Sequence, residues 1–301
     1  MQTSTELLLG SAISLLAAFL WAMSTNAYKS QSDEATPLAI STLKIWISVV
    51  VMAVLVIWPF RTIPFYMPLQ AIVYLAASVT IGLVIGDIAF LTAQEMIGVS
   101  YAYPIATTFP IFTYIIAIFI VDEMILLTRF SGIILAVVGI MLISRAQASA
   151  SNEENVPNHL ARRGFALAFF TALCWAVGSI LLQIGVTDID PTDANFVRMI
   201  FGAGVIAPVY LGAVRRGMPK PSRRATKIVL VAAFFGMAWG SLLYTYAVKI
   251  VGASVASVLG SISPLFALPI SIFFLKEKFT IKSILGALLT VSGVILVVLI
   301  V

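Results

Sequence analysis

The stretch FPIFTYIIAIFIVDEMI (Phe109–Ile125) is answered 154 residues later (263 − 109) by SPLFALPISIFFLKEKF (Ser263–Phe279). Pro110 falls on Pro264, Phe112 on Phe266, Phe119 on Phe273 and Glu123 on Glu277. The same offset carries Gly10 onto Gly164, Trp21 onto Trp175, Pro37 onto Pro191 and Lys44 onto Arg198. It also carries Gly82 and Gly86 onto Gly236 and Gly240, and Gly98, Ser100, Gly132 and Gly139 onto Gly252, Ser254, Gly286 and Gly293. Chance similarity between apolar runs would match Leu with Val. It would not hold Gly, Pro and Trp in register without a gap. One unit is written twice.

What kind of unit follows from its polarity. The 301-residue chain is 61% hydrophobic and 10% charged, against about a quarter charged in a soluble domain. Its charges cluster between long apolar runs, the pattern of membrane spans. At about 20 apolar residues per crossing, the spans fall near 7–27, 37–58, 69–92, 99–120 and 126–144, then 162–185, 192–213, 228–249, 254–275 and 281–301. Five spans per copy is an odd number, so tandem copies cross the membrane in opposite senses. The expected fold is an all-α polytopic membrane protein of ten transmembrane helices, arranged as two inverted-topology five-helix repeats. The repeats are residues 1–147 and 162–301, joined by a polar linker at 148–161. Such repeats are common in secondary transporters, with the substrate site at their interface near the midplane.

The Lys and Arg of the loops divide unevenly. Lys29, Arg145, Arg162, Arg163, Arg215, Arg216, Lys220, Arg223, Arg224, Lys227, Lys276, Lys278 and Lys282 share one side, and Arg61, Arg129 and Lys249 the other. The positive-inside rule then places both termini outside. The net charge of +5 belongs to membrane-flanking loops and is no nucleic-acid signal. The acidic loop DIDPTD (Asp188–Asp193) lacks the Gly of a calcium loop and is expected to be solvated. The lone Cys174 permits no intramolecular disulfide, and His159 has no ligand-spaced partner. No metal or cofactor is expected, and nothing in the sequence requires an oligomer.

A Trp in the first span, a basic residue early in the second, and the series Gly98, Ser100, Ala102, Pro110, Glu123, Gly132, Gly139 occur together, with the series repeated as Gly252, Ser254, Ala256, Pro264, Glu277, Gly286, Gly293. This pattern resembles the EamA-type branch of the drug/metabolite transporter superfamily. The resemblance covers both halves. It implies ten helices around a central cavity, in the inner (plasma) membrane, and export of amino acids, other metabolites or drugs. Termini in that family are usually cytoplasmic, opposite to the charge count.

Charges inside spans cost roughly 2.5–3.5 kcal/mol at a helix centre and usually face a partner or water. Lys44, Asp87 and Arg198 are such charges. Lys44 and Asp87 lie at similar depth, so they either pair or separately reach the interface, Lys44 by snorkelling. In the second half Arg198 replaces Lys44, but Ser241 replaces Asp87. Arg198 either snorkels outward or offers its fork to a ligand carboxylate. Trp21, Phe90, Phe109, Trp175, Trp239 and Tyr244 are the candidate aromatic lining of a cavity for an amphipathic substrate. Gly82, Gly86, Gly236 and Gly240 form small-residue faces for close helix approach. Pro110 and Pro264 sit mid-span as candidate breaks or hinges. Glu123 and Glu277 end their spans as capping or pairing groups.

These residues favour a secondary transporter of a small-molecule substrate. An amino acid or related carboxylate is the first expectation, and a multidrug or organic-cation exporter the second. An integral-membrane enzyme is a more distant reading, because the spans hold no paired acids and the only histidine lies in the linker. A channel would need rings of like polar groups. No phosphate-binding glycine loop is present, which excludes ATP drive within this chain. Spans 7–27 and 162–185 carry no carboxylate, unlike the small multidrug relatives that the resemblance brings to mind.

Overall fold

The computed structural model describes residues 4–59, 61–148, 158–266 and 281–299, and every regular element among them is helical. Phe273, Lys276, Glu277 and Lys278 lie outside the described residues, as does most of the linker. Among the described residues, nine helical stretches are long and apolar enough to cross a membrane. The longest, Arg223–Phe266 with 44 residues, turns at Gly252 and so contains two crossings. The fold is a ten-span helical membrane fold.

The first span is Ser4–Lys29 and the second Pro37–Ile57. The third joins Leu69–Ser78, a π-helical Val79–Gly86 and Asp87–Ile97. The fourth is Val99–Ala106 with Phe109–Ile120, and the fifth Leu127–Ala148. In the second half, Asn158–Val186 is the sixth and Pro191–Arg215 the seventh. The eighth runs through Arg223–Ala233 and a π-helical Phe234–Trp239 to residue 251, the ninth starts at 253, and Ile281–Leu299 is the tenth.

Local chemistry repeats with the sequence. Thr36 caps the second span through Ala39 N–H, and Asp190 caps the seventh through Thr192 N–H. Each cap is followed by a proline at the first helical position, where no N–H is needed. Gly98 and Gly252 both take a positive φ, 75° and 79°, that a Cβ would resist. There the third span turns into the fourth and the eighth into the ninth. The first π-helical segment contains both of its paired glycines, Gly82 and Gly86; the second contains Gly236 and ends just before Gly240.

The mid-span prolines need a correction. The fourth span is interrupted at Thr107–Thr108, and Pro110 lies in the first turn of Phe109–Ile120. Its missing N–H therefore removes no helical hydrogen bond, because the break precedes it. Pro264 likewise follows a turn at Ile262, where Leu265 N–H donates to the Ile262 carbonyl at 2.8 Å.

The halves exchange partners. The third span packs on the sixth and the first on the eighth, while the second packs on the seventh and the fifth on the tenth. Ser78 donates to the Gly178 carbonyl at 2.7 Å, and Ser24 to the Ala232 carbonyl at 2.9 Å. Under the repeat offset these are one contact written in both directions. The fifth and tenth spans cross on glycines. A Cβ on Gly132 would lie 2.8 Å from the Gly293 carbonyl oxygen, and one on Gly139 would lie 2.5 Å from that of Gly286. Since 132 meets 293 and 139 meets 286, these equivalent spans run antiparallel. Apolar side chains such as Val50, Val54 and Val73 point outward and exposed, as lipid requires.

Candidate functional site

Where the exchanged spans meet, a central cavity of about 150 Å³ remains. Eight residues singled out from the sequence line it: Trp21, Lys44, Asp87, Phe90, Phe109, Trp175, Arg198 and Tyr244. Gly82 and Gly236 line it as well. Trp239 does not. It faces a second recess, bounded by Leu55, Arg61, Asp190 and Tyr246. The reason is helical phase: Ser241 and Tyr244 present one face of the eighth span to the cavity, and Trp239 and Tyr246 the other to the recess.

Lys44 and Asp87 are joined. The lysine Nζ lies 2.5 Å from Asp87 Oδ2, with both side chains about 10% exposed. Asp87 Oδ1 accepts from Trp175 Nε1 at 3.0 Å, and Lys44 Nζ stands 5.0 Å from the centre of the Tyr28 ring. Trp175 is held by Phe90 at 5.0 Å and Phe109 at 5.7 Å between ring centroids. Asp87 thus has both of its oxygens occupied, which is what an ionised carboxylate in a low-dielectric interior requires.

The second half is built differently. Arg198 is only 4% exposed, so it does not snorkel to the surface. Its Nη1 donates to Asn195 Oδ1 at 3.3 Å and to Thr245 Oγ1 at 3.2 Å, both neutral acceptors. Its Nε has no partner, and neither has the buried Asn195 Nδ2. Ser241 donates to Asn195 Oδ1 at 2.9 Å. Among the described residues Arg198 forms no ion pair. Tyr244 stacks at a tilt on Trp21, with centroids 5.2 Å apart, and shares a hydrogen bond with Ser179 at 2.9 Å. Among the described residues that line the cavity, Lys44 and Arg198 are basic and Asp87 alone is acidic.

Tyr28, Asn195, Thr245, Ser179 and Tyr103 escaped the sequence reading. The signal available for the polar ones was a hydroxyl or amide within an apolar run, which is too common in spans to single out a site. Arg61 was counted only as a loop charge. It approaches Asp193 at 2.6 Å and Asp190 at 3.6 Å, and the Asp193 contact pushes the Arg61 guanidinium further above its ordinary pKa. The acidic loop is therefore not simply solvated: Asp193 is 1% exposed, and Asp190 serves as a helix cap. Beside it, Lys249 donates to the Ile189 carbonyl at 2.7 Å. Glu123 pairs with Arg129 at 2.5 Å and accepts from Ser254 at 2.5 Å. This ties the end of the fourth span to the start of the ninth. At the opposite end of the bundle, Ser222 contacts Glu34.

The sequence pattern of the EamA-like transporter family matches residues 8–145 and again 162–299. An uncharacterized inner membrane transporter of Escherichia coli, YhbE, is 29% identical over 140 residues, covering 44% of this chain and 42% of that one. The chain is thus matched to less than half the length of that relative. An uncharacterized transporter of Archaeoglobus fulgidus is 22% identical across 95% of this chain and 97% of its own. A solved crystal structure aligns over 97% of both chains with a TM-score of 0.77 at 16% identity, which is a likeness of fold.

Proposed function

Since the chain belongs to the EamA-like transporter family, we propose that it is a secondary transporter moving a small, carboxylate-bearing metabolite, an amino acid or close relative, by alternating access through the central cavity. Export is the direction the family resemblance favours. The observation that carries the substrate class is Arg198, buried, lining the cavity and met, among the described residues, only by neutral oxygens. An unpaired guanidinium in a low-dielectric site is costly unless an anion joins it, and its planar fork fits a carboxylate in two-point fashion. The rings of Trp21, Trp175 and Tyr244 provide the apolar wall for the substrate body. A cationic drug would enter a cavity whose described lining has two basic residues and one acidic, so that reading ranks lower.

On the side of Arg61, the Glu123–Ser254, Arg61–Asp193 and Lys249–Ile189 contacts tie the span ends together and are the contacts that alternating access would have to break. The interrupted fourth span and the two π-helical segments are the places where backbone hydrogen bonding already yields, and so where bending costs least. The test begins with a thermal-shift screen of purified protein against amino acids, sugars and organic cations. Binding of the best carboxylate ligand is then measured on Arg198→Lys and Arg198→Gln. Affinity should fall for lysine and fall further for glutamine, by about tenfold or more. Unchanged affinity in folded Arg198→Gln protein would sink the assignment.

A further inference from the structure

We propose that the substrate carboxylate occupies the place in the second half that the Asp87 side chain occupies in the first, held by Arg198, Trp21 Nε1 and the Ser241 hydroxyl. This rests on the reading of the cavity as carboxylate-binding and specifies how the carboxylate is held.

In the first half, Asp87 is bound by a cation from the second span and an indole N–H from the sixth, at 2.5 Å and 3.0 Å. The repeat offset turns Lys44 into Arg198, Trp175 into Trp21 and Asp87 into Ser241. Both donors are kept and only the acceptor is lost. The indoles also keep their pose. A Cβ on Gly86 would lie 3.1 Å from Trp175 Cδ1, and one on Gly240 would lie 3.0 Å from Trp21 Cδ1 and 2.8 Å from its Nε1. Each indole also stacks on the equivalent ring, Trp175 on Phe90 at 5.0 Å and Trp21 on Tyr244 at 5.2 Å. Trp21 Nε1 thus lies beside Gly240 and next to position 241, as the Trp175 ring lies beside Gly86 and next to Asp87. Among the described residues it has no acceptor.

Trp21, Arg198 and Ser241 all line the cavity. Arg198 is buried and keeps an unpartnered Nε. Two donors that grip a carboxylate in one half therefore face the cavity in the other, where serine leaves room for a carboxylate from outside. The Asn195 oxygen accepts from Arg198 meanwhile, but as a neutral and weaker acceptor than a carboxylate.

The decisive variant restores the acid. Ser241→Asp should fill the position from within, pairing with Arg198 and Trp21. In detergent its melting temperature should exceed those of wild type and of Ser241→Asn by a few degrees. Sodium benzoate, with benzamide as its uncharged isostere and sodium chloride as the ionic-strength control, reports on the ligand. Benzoate should stabilise wild type more than benzamide does and lose that effect on Ser241→Asp.

Equal stabilisation of wild type and Ser241→Asp by benzoate overturns the shared position while leaving a carboxylate-binding cavity intact. Benzoate no better than benzamide on wild type counts against the carboxylate reading itself. A Ser241→Asp protein less heat-stable than Ser241→Asn overturns the geometry whatever benzoate does. If Ser241→Asp does not fold, Trp21→Phe decides, since it keeps a ring against Tyr244 and removes the donor. Its benzoate affinity should drop by about tenfold, and an unchanged affinity overturns the proposal.

Discussion

Lys44 and Asp87 show how a charge survives inside a span. Neither is tolerable alone, yet together with Trp175 Nε1 they satisfy each other at 2.5 Å and 3.0 Å. Removing one partner strands the other, at a cost of about 3–5 kcal/mol for a buried pair. Lys44→Met and Asp87→Asn should each lower stability by roughly that amount. The double variant should recover most of the loss, since well-packed neutral groups often replace a buried pair without penalty. Unfolding of the three proteins in one detergent measures this, and a double variant no better than the worse single would show that the two side chains do not depend on each other. The pairing itself was half legible. Matched depth along two spans could be counted, but whether Lys44 turned inward or toward the interface could not.

At the scale of elements, glycine acts in two distinct ways, and substitution separates them. Gly252 has space around it, with Gln183 Oε1 the nearest atom at 3.7 Å from an added Cβ, but its φ is 79°. Gly252→Ala should therefore cost about 1–3 kcal/mol through backbone strain alone. Gly139 is helical, and its Cβ would strike the Gly286 carbonyl oxygen at 2.5 Å. Gly139→Ala should cost about 1–3 kcal/mol by forcing the fifth and tenth spans apart. Gly212, with nothing within 4 Å, is the control, and Gly212→Ala should be neutral or stabilising by up to about 1 kcal/mol. Melting temperatures of the three variants check the order. The glycines were visible in the sequence, but which were bent and which were touched was not. Nor were the π-helical segments, because a GxxxG spacing reads the same in a straight helix.

For the whole molecule, the two ends of the bundle carry different charge. The loop and helix start from Arg215 to Lys227 hold six exposed Lys and Arg: Arg215, Arg216, Lys220, Arg223, Arg224 and Lys227. The positive-inside rule assigns this end to the cytoplasm and both termini to the outside. Cys174 is buried and is the chain's single cysteine, so a cysteine placed at Lys220 provides a clean reporter. Lys220→Cys should resist a membrane-impermeant thiol reagent in intact cells and react after permeabilisation. Ready labelling of intact cells would reverse the orientation.

Sequence alone determined the ten-span helical class, the family and the offset that relates the two halves. Each follows from quantities linear in the chain: the length of apolar runs, the spacing of Gly, Pro and Trp, and the parity of five. It also exposed the loss of an acid at Ser241 opposite a retained base at Arg198, because aligned repeats can be compared position by position. Tertiary structure alone decided that the halves exchange partners, so that Trp175 of the second half serves Asp87 of the first. It decided that Trp239 faces a side recess, that Asp193 is buried against Arg61, and that the fourth span breaks before Pro110 rather than at it. These depend on the rotational phase of each helix and on which neighbour it meets. In lipid no face is forced inward by water, so apolar patterning sets that phase only weakly, and close packing of small residues settles it.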